Sequence, residues 1–141
     1  MKKYIIGVLL LFAETLLLAG CASSGEKPAQ EPTTDDTVYI GEYLDQDTNE
    51  PGLEIAKSDS GGYIVQISIF RLTSLSDGTG ELSSDGMTFT ATDAAGNPIR
   101  GTIVVDEQLA TVTFTDSSWD GLPSGSSFIY AKSSDTPSIW N

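Results

Sequence analysis

The chain has no histidine and a single cysteine, Cys21, in 141 residues. One cysteine cannot form an internal disulfide, and without His or a Cys cluster there is neither a zinc site nor an imidazole base for a Ser or Cys nucleophile. Basic residues are scarce as well: 7 Lys and Arg stand against 20 Asp and Glu, for a formal charge of −13. A surface of that sign repels phosphate backbones, whose binding proteins need Lys and Arg to release counterions, so nucleic acid is not an expected partner. Helical patterning is also missing, since no stretch after Gly20 sustains a 3.6-residue apolar period.

What is present divides the chain. Residues 1–20 are an apolar leader in which Lys2 and Lys3 precede an apolar stretch from Ile5 to Ala13, and Leu16, Leu17 and Leu18 lead into Ala19, Gly20 and Cys21. This is the three-part layout of a secretory signal peptide. Glu14 ends the first run well short of the ~20 apolar residues a membrane span needs. The last four residues, Leu18-Ala19-Gly20-Cys21, resemble the lipobox of bacterial lipoproteins. The resemblance implies that a diacylglycerol is joined to the Cys21 thiol, that cleavage makes Cys21 the mature N-terminus, and that palmitate-type chains anchor the protein to the cell membrane outside the cytoplasm. Such chains bury methylenes at ~0.8 kcal/mol each. Ala22 differs from the Asp that resembles an inner-membrane retention signal, so a host with two membranes is expected to carry the protein on its outer membrane.

Residues 21–37 read as the lipidated Cys followed by a flexible tether. From Ala22 to Thr37 there is no aromatic or branched aliphatic side chain to offset chain entropy. From Val38 short runs rich in Ile, Val, Thr, Tyr and Phe alternate with Gly, Asp, Asn, Ser and Pro, which is a single all-β domain over 38–132 with a tail at 133–141. The expected strands are 38–44, 53–57, 62–72, 80–82, 87–93, 99–106, 109–115 and 127–132. Their connections are mostly hairpin-length, so neighbours should pair antiparallel and close into an eight-stranded up-and-down barrel, with a sandwich as the alternative. Gly41-Glu42-Tyr43 on the first strand, ahead of a meander of hairpins, is similar to calycin barrels, the lipocalin and avidin group. The resemblance implies architecture and carries no binding residues.

Alternation places Tyr39, Tyr43, Leu53, Ile55, Tyr63, Val65, Ile67, Ile69, Leu82, Met87, Phe89, Ile99, Ile103, Val105, Val112, Phe114, Phe128 and Tyr130 inside. An eight-stranded barrel is only just wide enough for its side chains or one small ligand. With so many rings directed inward, a filled interior is expected, which moves function to the rim loops and outer wall.

Two hydrolase-like strings are false friends. Asp59-Ser60-Gly61-Gly62 resembles the nucleophile segment of trypsin-like proteases, but no His exists to take the Ser proton, and Ser24-Gly25-Glu26-Lys27 lies in the tether. The six Thr at 88, 90, 92, 111, 113 and 115 read as a solvated β face. Paired-carboxylate hydrolysis needs two acids held across a cleft, and the acids here fall mostly on turns. Asp45, Asp47 and Asn49 have the alternate-oxygen spacing that opens a Ca²⁺ loop, but Glu50 replaces the Gly and Ala56 the bidentate Glu, leaving a weak Ca²⁺ site or a plain solvated loop. The long loop 116–126 carries Trp119 between Asp116 and Asp120, suited either to anchoring a protein or glycan partner or to plugging the barrel mouth. Trp140 follows Pro137 near the end.

These readings lead to a non-enzymatic binding module, without cofactor beyond the lipid, that meets an envelope or extracellular protein or glycan. The alternative is an inhibitor of a cationic cell-wall hydrolase: lysozyme-inhibiting lipoprotein barrels resemble this chain in anchor, size and strand count. They usually carry a disulfide, and only Ser124-Gly125-Ser126 and Lys132 align with them, loosely.

Overall fold

A computed structural model describes residues 35–139. The segments read from the sequence as signal peptide, lipobox with Cys21 and most of the tether, together with Trp140, lie outside the described residues. Eight strands, β1 (Gly41–Asp45), β2 (Pro51–Lys57), β3 (Tyr63–Ile69), β4 (Thr73–Ser83), β5 (Gly86–Thr92), β6 (Pro98–Asp106), β7 (Leu109–Asp116) and β8 (Ser127–Ser134), follow one another around a closed barrel. Every neighbouring pair is antiparallel, and β1 closes on β8 through Leu44↔Ala131 and Asp45↔Tyr130, which rules out the sandwich. Closure leaves no unpaired sheet edge. Register shifts at Tyr43/Leu44, Val65/Ile67 and Arg100/Gly101 bend the wall as bulges do.

The alternation read from the sequence sets the interior. Tyr43, Leu53, Ile55, Val65, Ile67, Met87, Ile99, Ile103, Val112, Phe114 and Tyr130 are fully buried, with Tyr63, Leu82, Val105 and Phe128 packed partly buried against them. Phe89 and Phe128 both stand edge-on to Phe114, at 5.5 and 6.2 Å between centroids. Side chains thus fill the middle of the barrel.

Three boundaries differ from the sequence reading by three residues or more. The first concerns 38–44: the strand begins only at Gly41, because residues 36–38 form a 3-10 turn. Asp35 caps that turn, its carboxylate accepting from the Thr37 amide (3.1 Å) and hydroxyl (2.6 Å). The second is β4, which runs eleven residues rather than three. Its sequence is poor in β-formers, yet Leu75 is buried in the core, and Gly78 lets the strand approach so closely that a Cβ there would stand 2.2 Å from the Val65 carbonyl oxygen. The third is the stretch 62–72, in which β3 ends at Ile69 and a tight turn, closed by the Leu72 amide on the Ile69 carbonyl (2.9 Å), leads into β4.

Loops β2–β3, β4–β5 and β6–β7 gather at the end where the described chain enters, called proximal here; loops β1–β2, β3–β4, β5–β6 and β7–β8 form the distal end. The proximal mouth is tied to the 3-10 turn. The Tyr43 hydroxyl donates to the Val38 and Tyr39 carbonyls (3.0 and 2.8 Å), and Lys132 Nζ donates to the Val38 carbonyl while pairing with Asp135. Asp36 accepts from Tyr63 (3.0 Å) and pairs with Lys57 (2.6 Å). These two partners, Lys57 foremost, hold the Asp36 carboxyl below its usual range.

Candidate functional site

The distal rim is built from loops whose backbones are satisfied internally. In the β7–β8 loop the Ser117 amide donates to Ser124 Oγ (2.9 Å), the Trp119 amide to Ser117 Oγ (3.2 Å), and the Leu122 amide to the Trp119 carbonyl (3.0 Å). The Gly125 amide donates to the Phe114 carbonyl at 2.7 Å, which pins the loop to the core strand. Leu122, not Trp119, is the fully buried residue of this loop. Trp119 is half-buried: it packs against the core on one side, and its ring lies so close over Gly121 that a Cβ there would sit 2.5 Å from it. The body of the ring is thus held by the barrel and the remainder faces solvent. Asp116 pairs with Arg100 at 3.5 Å, both well exposed and so weakly coupled, while Asp120 is exposed.

The β1–β2 loop lies at the same end. Asp45 Oδ1 accepts from the Asp47 amide (2.9 Å), the Thr48 amide (2.9 Å) and the Thr48 hydroxyl (3.2 Å), and Asn49 takes a left-handed φ of 58°. The alternate-oxygen spacing thus serves an Asx-type turn. Among the described residues no three His, Cys, Asp or Glu side chains converge on a metal-binding geometry. With Asp45 so committed, calorimetric titration with millimolar Ca²⁺ is expected to give no heat; measurable heat lost in Asp47→Asn would restore the loop as a ligand set. A groove of about 230 Å³ runs between Asp45, Gln46 and Asp47 on this loop and Ser127, Phe128 and Ile129 on β8.

One rim element was not singled out from the sequence. The β3–β4 turn presents Phe70, 53% exposed, and Leu72, 40% exposed, on either side of Arg71, whose guanidinium stands 5.0 Å from the centre of the Phe70 ring. Arg71 has φ 57°, a conformation that favours Gly or Asn. The signal was available: the parity that puts Ile67 and Ile69 inside puts Phe70 outside. By contrast, the residues aligned with lysozyme-inhibiting barrels have local duties. Ser124 and Ser126 bond within their own loop, and Lys132, whose side chain is 8% exposed, serves the proximal plug.

A second concavity lies at the proximal end, where the β2–β3 hairpin and β4 enclose a groove of about 520 Å³. In the sequence its hairpin, Asp59 to Gly62, reads only as a turn.

Comparison of the chain with protein-family models, with curated proteins and with solved structures finds no match in any of the three.

Proposed function

We propose that this protein is an extracytoplasmic lipoprotein, anchored through acyl chains on Cys21, whose calycin-like barrel binds an envelope or extracellular protein or glycan without catalysing a reaction. The observation that carries the reading is polarity of the barrel. The described chain enters at the proximal end, whereas half-exposed Trp119, exposed Phe70 and the acidic Asp45, Asp47, Asp116 and Asp120 belong to the opposite end. The rim thus lies at the end of the barrel opposite the point where the described chain enters. A rigid, partly buried ring beside polar groups is the composition of binding hot spots.

Two experiments test it. Cys21→Ser is expected to move the protein from the detergent phase to the aqueous phase on phase separation; unchanged partition would reject the lipid anchor. Capture of envelope and extracellular material by the immobilised protein is expected to weaken about tenfold or more in Trp119→Ala. Retained capture would remove Trp119 from the site.

The acidity of the rim supports a second reading, inhibition of a cationic cell-wall hydrolase, since a charge of −13 accelerates encounter with a basic enzyme. A lysozyme assay at low ionic strength, where steering is strongest, decides it for that enzyme: absence of inhibition rejects the reading.

A further inference from the structure

We infer that the proximal groove is a binding site for an uncharged sugar ring, free or at the end of a glycan, distinct from the distal rim. The groove holds about 520 Å³, within the ~300–1,000 Å³ of small-molecule sites. Ser58 and Ser60 line it from the hairpin, Thr79 and Glu81 from β4, and Tyr63 and Ile64 from β3. Hydroxyls both donate and accept, as sugar hydroxyls do, and a carboxylate accepts from two neighbouring sugar hydroxyls at once. Ile64, opposite Thr79 on the outer face of the wall, supplies an apolar surface on which the C–H face of a sugar rests. The strand beneath the groove is fixed in place, because the Tyr63 ring packs against the core and its hydroxyl donates to Asp36, which Lys57 also holds. Ligand ordering then costs less.

Charge narrows the class. None of the groove's lining residues is Lys or Arg, and Glu81 faces any ligand that enters. Phosphates and sugar acids find no counter-charge there and meet a chain of net charge −13. At the hairpin tip a side chain on Gly61 would meet nothing within 4 Å, so the mouth is open to a ring that continues into a longer glycan.

The test is a titration of the isotopically labelled full chain in detergent, followed by amide chemical shifts. Diacetylchitobiose and cellobiose are the neutral probes, their longer oligomers represent the glycan source, and glucuronate is the anionic control. At about 10 mM, above a dissociation constant of ~1 mM, at least one neutral disaccharide is expected to shift amides of 58–64 and 79–82, and glucuronate to shift none. A free-sugar site loses affinity for the longer oligomers, whereas a glycan-end site keeps it. Thr79→Tyr, on the exposed face of β4, is expected to fill the groove and abolish the shifts while the rest of the spectrum is retained; Glu81→Gln is expected to weaken binding about tenfold. Trp119→Ala is expected to leave it unchanged, which separates this site from the distal rim. No shift with either neutral sugar, equal shifts with glucuronate, or shifts that survive Thr79→Tyr would overturn the inference.

Discussion

Phe114→Ala is expected to lower the unfolding free energy by about 3–5 kcal/mol, the usual range for removing a buried phenyl ring. Phe114 is fully buried on β7 and stands edge-on to both Phe89 and Phe128, so its loss removes two ring contacts and opens a void that a closed wall cannot collapse to fill. Its backbone also holds the distal loop, through the Ser126 carbonyl on its amide (2.9 Å) and the Gly125 amide on its carbonyl. A domain of this size has roughly 5–15 kcal/mol in total, so the variant should retain only part of it. Urea unfolding followed by tryptophan fluorescence measures the effect as a lower midpoint at unchanged slope. A loss under about 1 kcal/mol would mean that the interior is loosely packed, and the account of a filled barrel would fail.

Glu54→Gln is expected to raise stability at pH 7 by on the order of 1 kcal/mol, because it takes a carboxylate charge out of a buried site while keeping an acceptor for the Ser138 amide. Glu54 projects outward from β2, between Leu53 and Ile55 that point in, yet it is 0% exposed, and the Ser138 amide of the C-terminal segment donates to its Oε2. Oε1 is buried without a hydrogen-bond partner. Its cross-strand neighbours are Glu42 on β1 and Gln66 on β3. Burial pushes the carboxyl above its usual value of 4.5, against the Ser138 bond, which lowers it, and with the Glu42 charge, which raises it further. The unfolded chain therefore gives up this proton first as pH rises. Stability from the neutral form is complete below about pH 4.5 and is lost as pH climbs through the higher folded value. Asp36 acts the other way: its lowered carboxyl contributes stability above its usual value of 3.8, lost on acidification below that value. Unfolding free energies from pH 4 to 8 should thus fall with pH in the wild type and flatten in Glu54→Gln. The same slope in both proteins would show that Glu54 does not titrate differently on folding.

The candidate sites were legible to unequal degrees. Trp119, Asp116 and Asp120 stood out because an aromatic between two acids in a long connection is conspicuous; Trp119 and Asp120 do share one loop, and Asp116 ends the strand that leads into it. The Asp45, Asp47 and Asn49 spacing was visible too, but a spacing says nothing about which donors a carboxylate meets. The loop's own amides reach Asp45 first. The proximal groove was invisible in the sequence, since it is made by a hairpin and a strand about 20 residues apart in the chain, neither of which is unusual alone.

Strand parity and turn chemistry were enough, by themselves, to determine an all-β domain and the eighteen side chains that point into or pack against its core, because a period of two assigns each residue a face before any partner strand is known. The absence of His and the single Cys likewise leave the given chain without an imidazole base or an internal disulfide. Closure was decided only by the tertiary structure. Whether β1 reaches β8 depends on bulges and accumulated twist, which are properties of the whole sheet. The same holds for β4, whose Ser, Asp and Gly residues form a long strand because β3 and β5 supply hydrogen bonds on both sides. It holds again for Glu54, an outward residue whose burial comes from a segment 84 residues away in the sequence. Local sequence encodes which way a side chain points; what covers it there is a non-local fact.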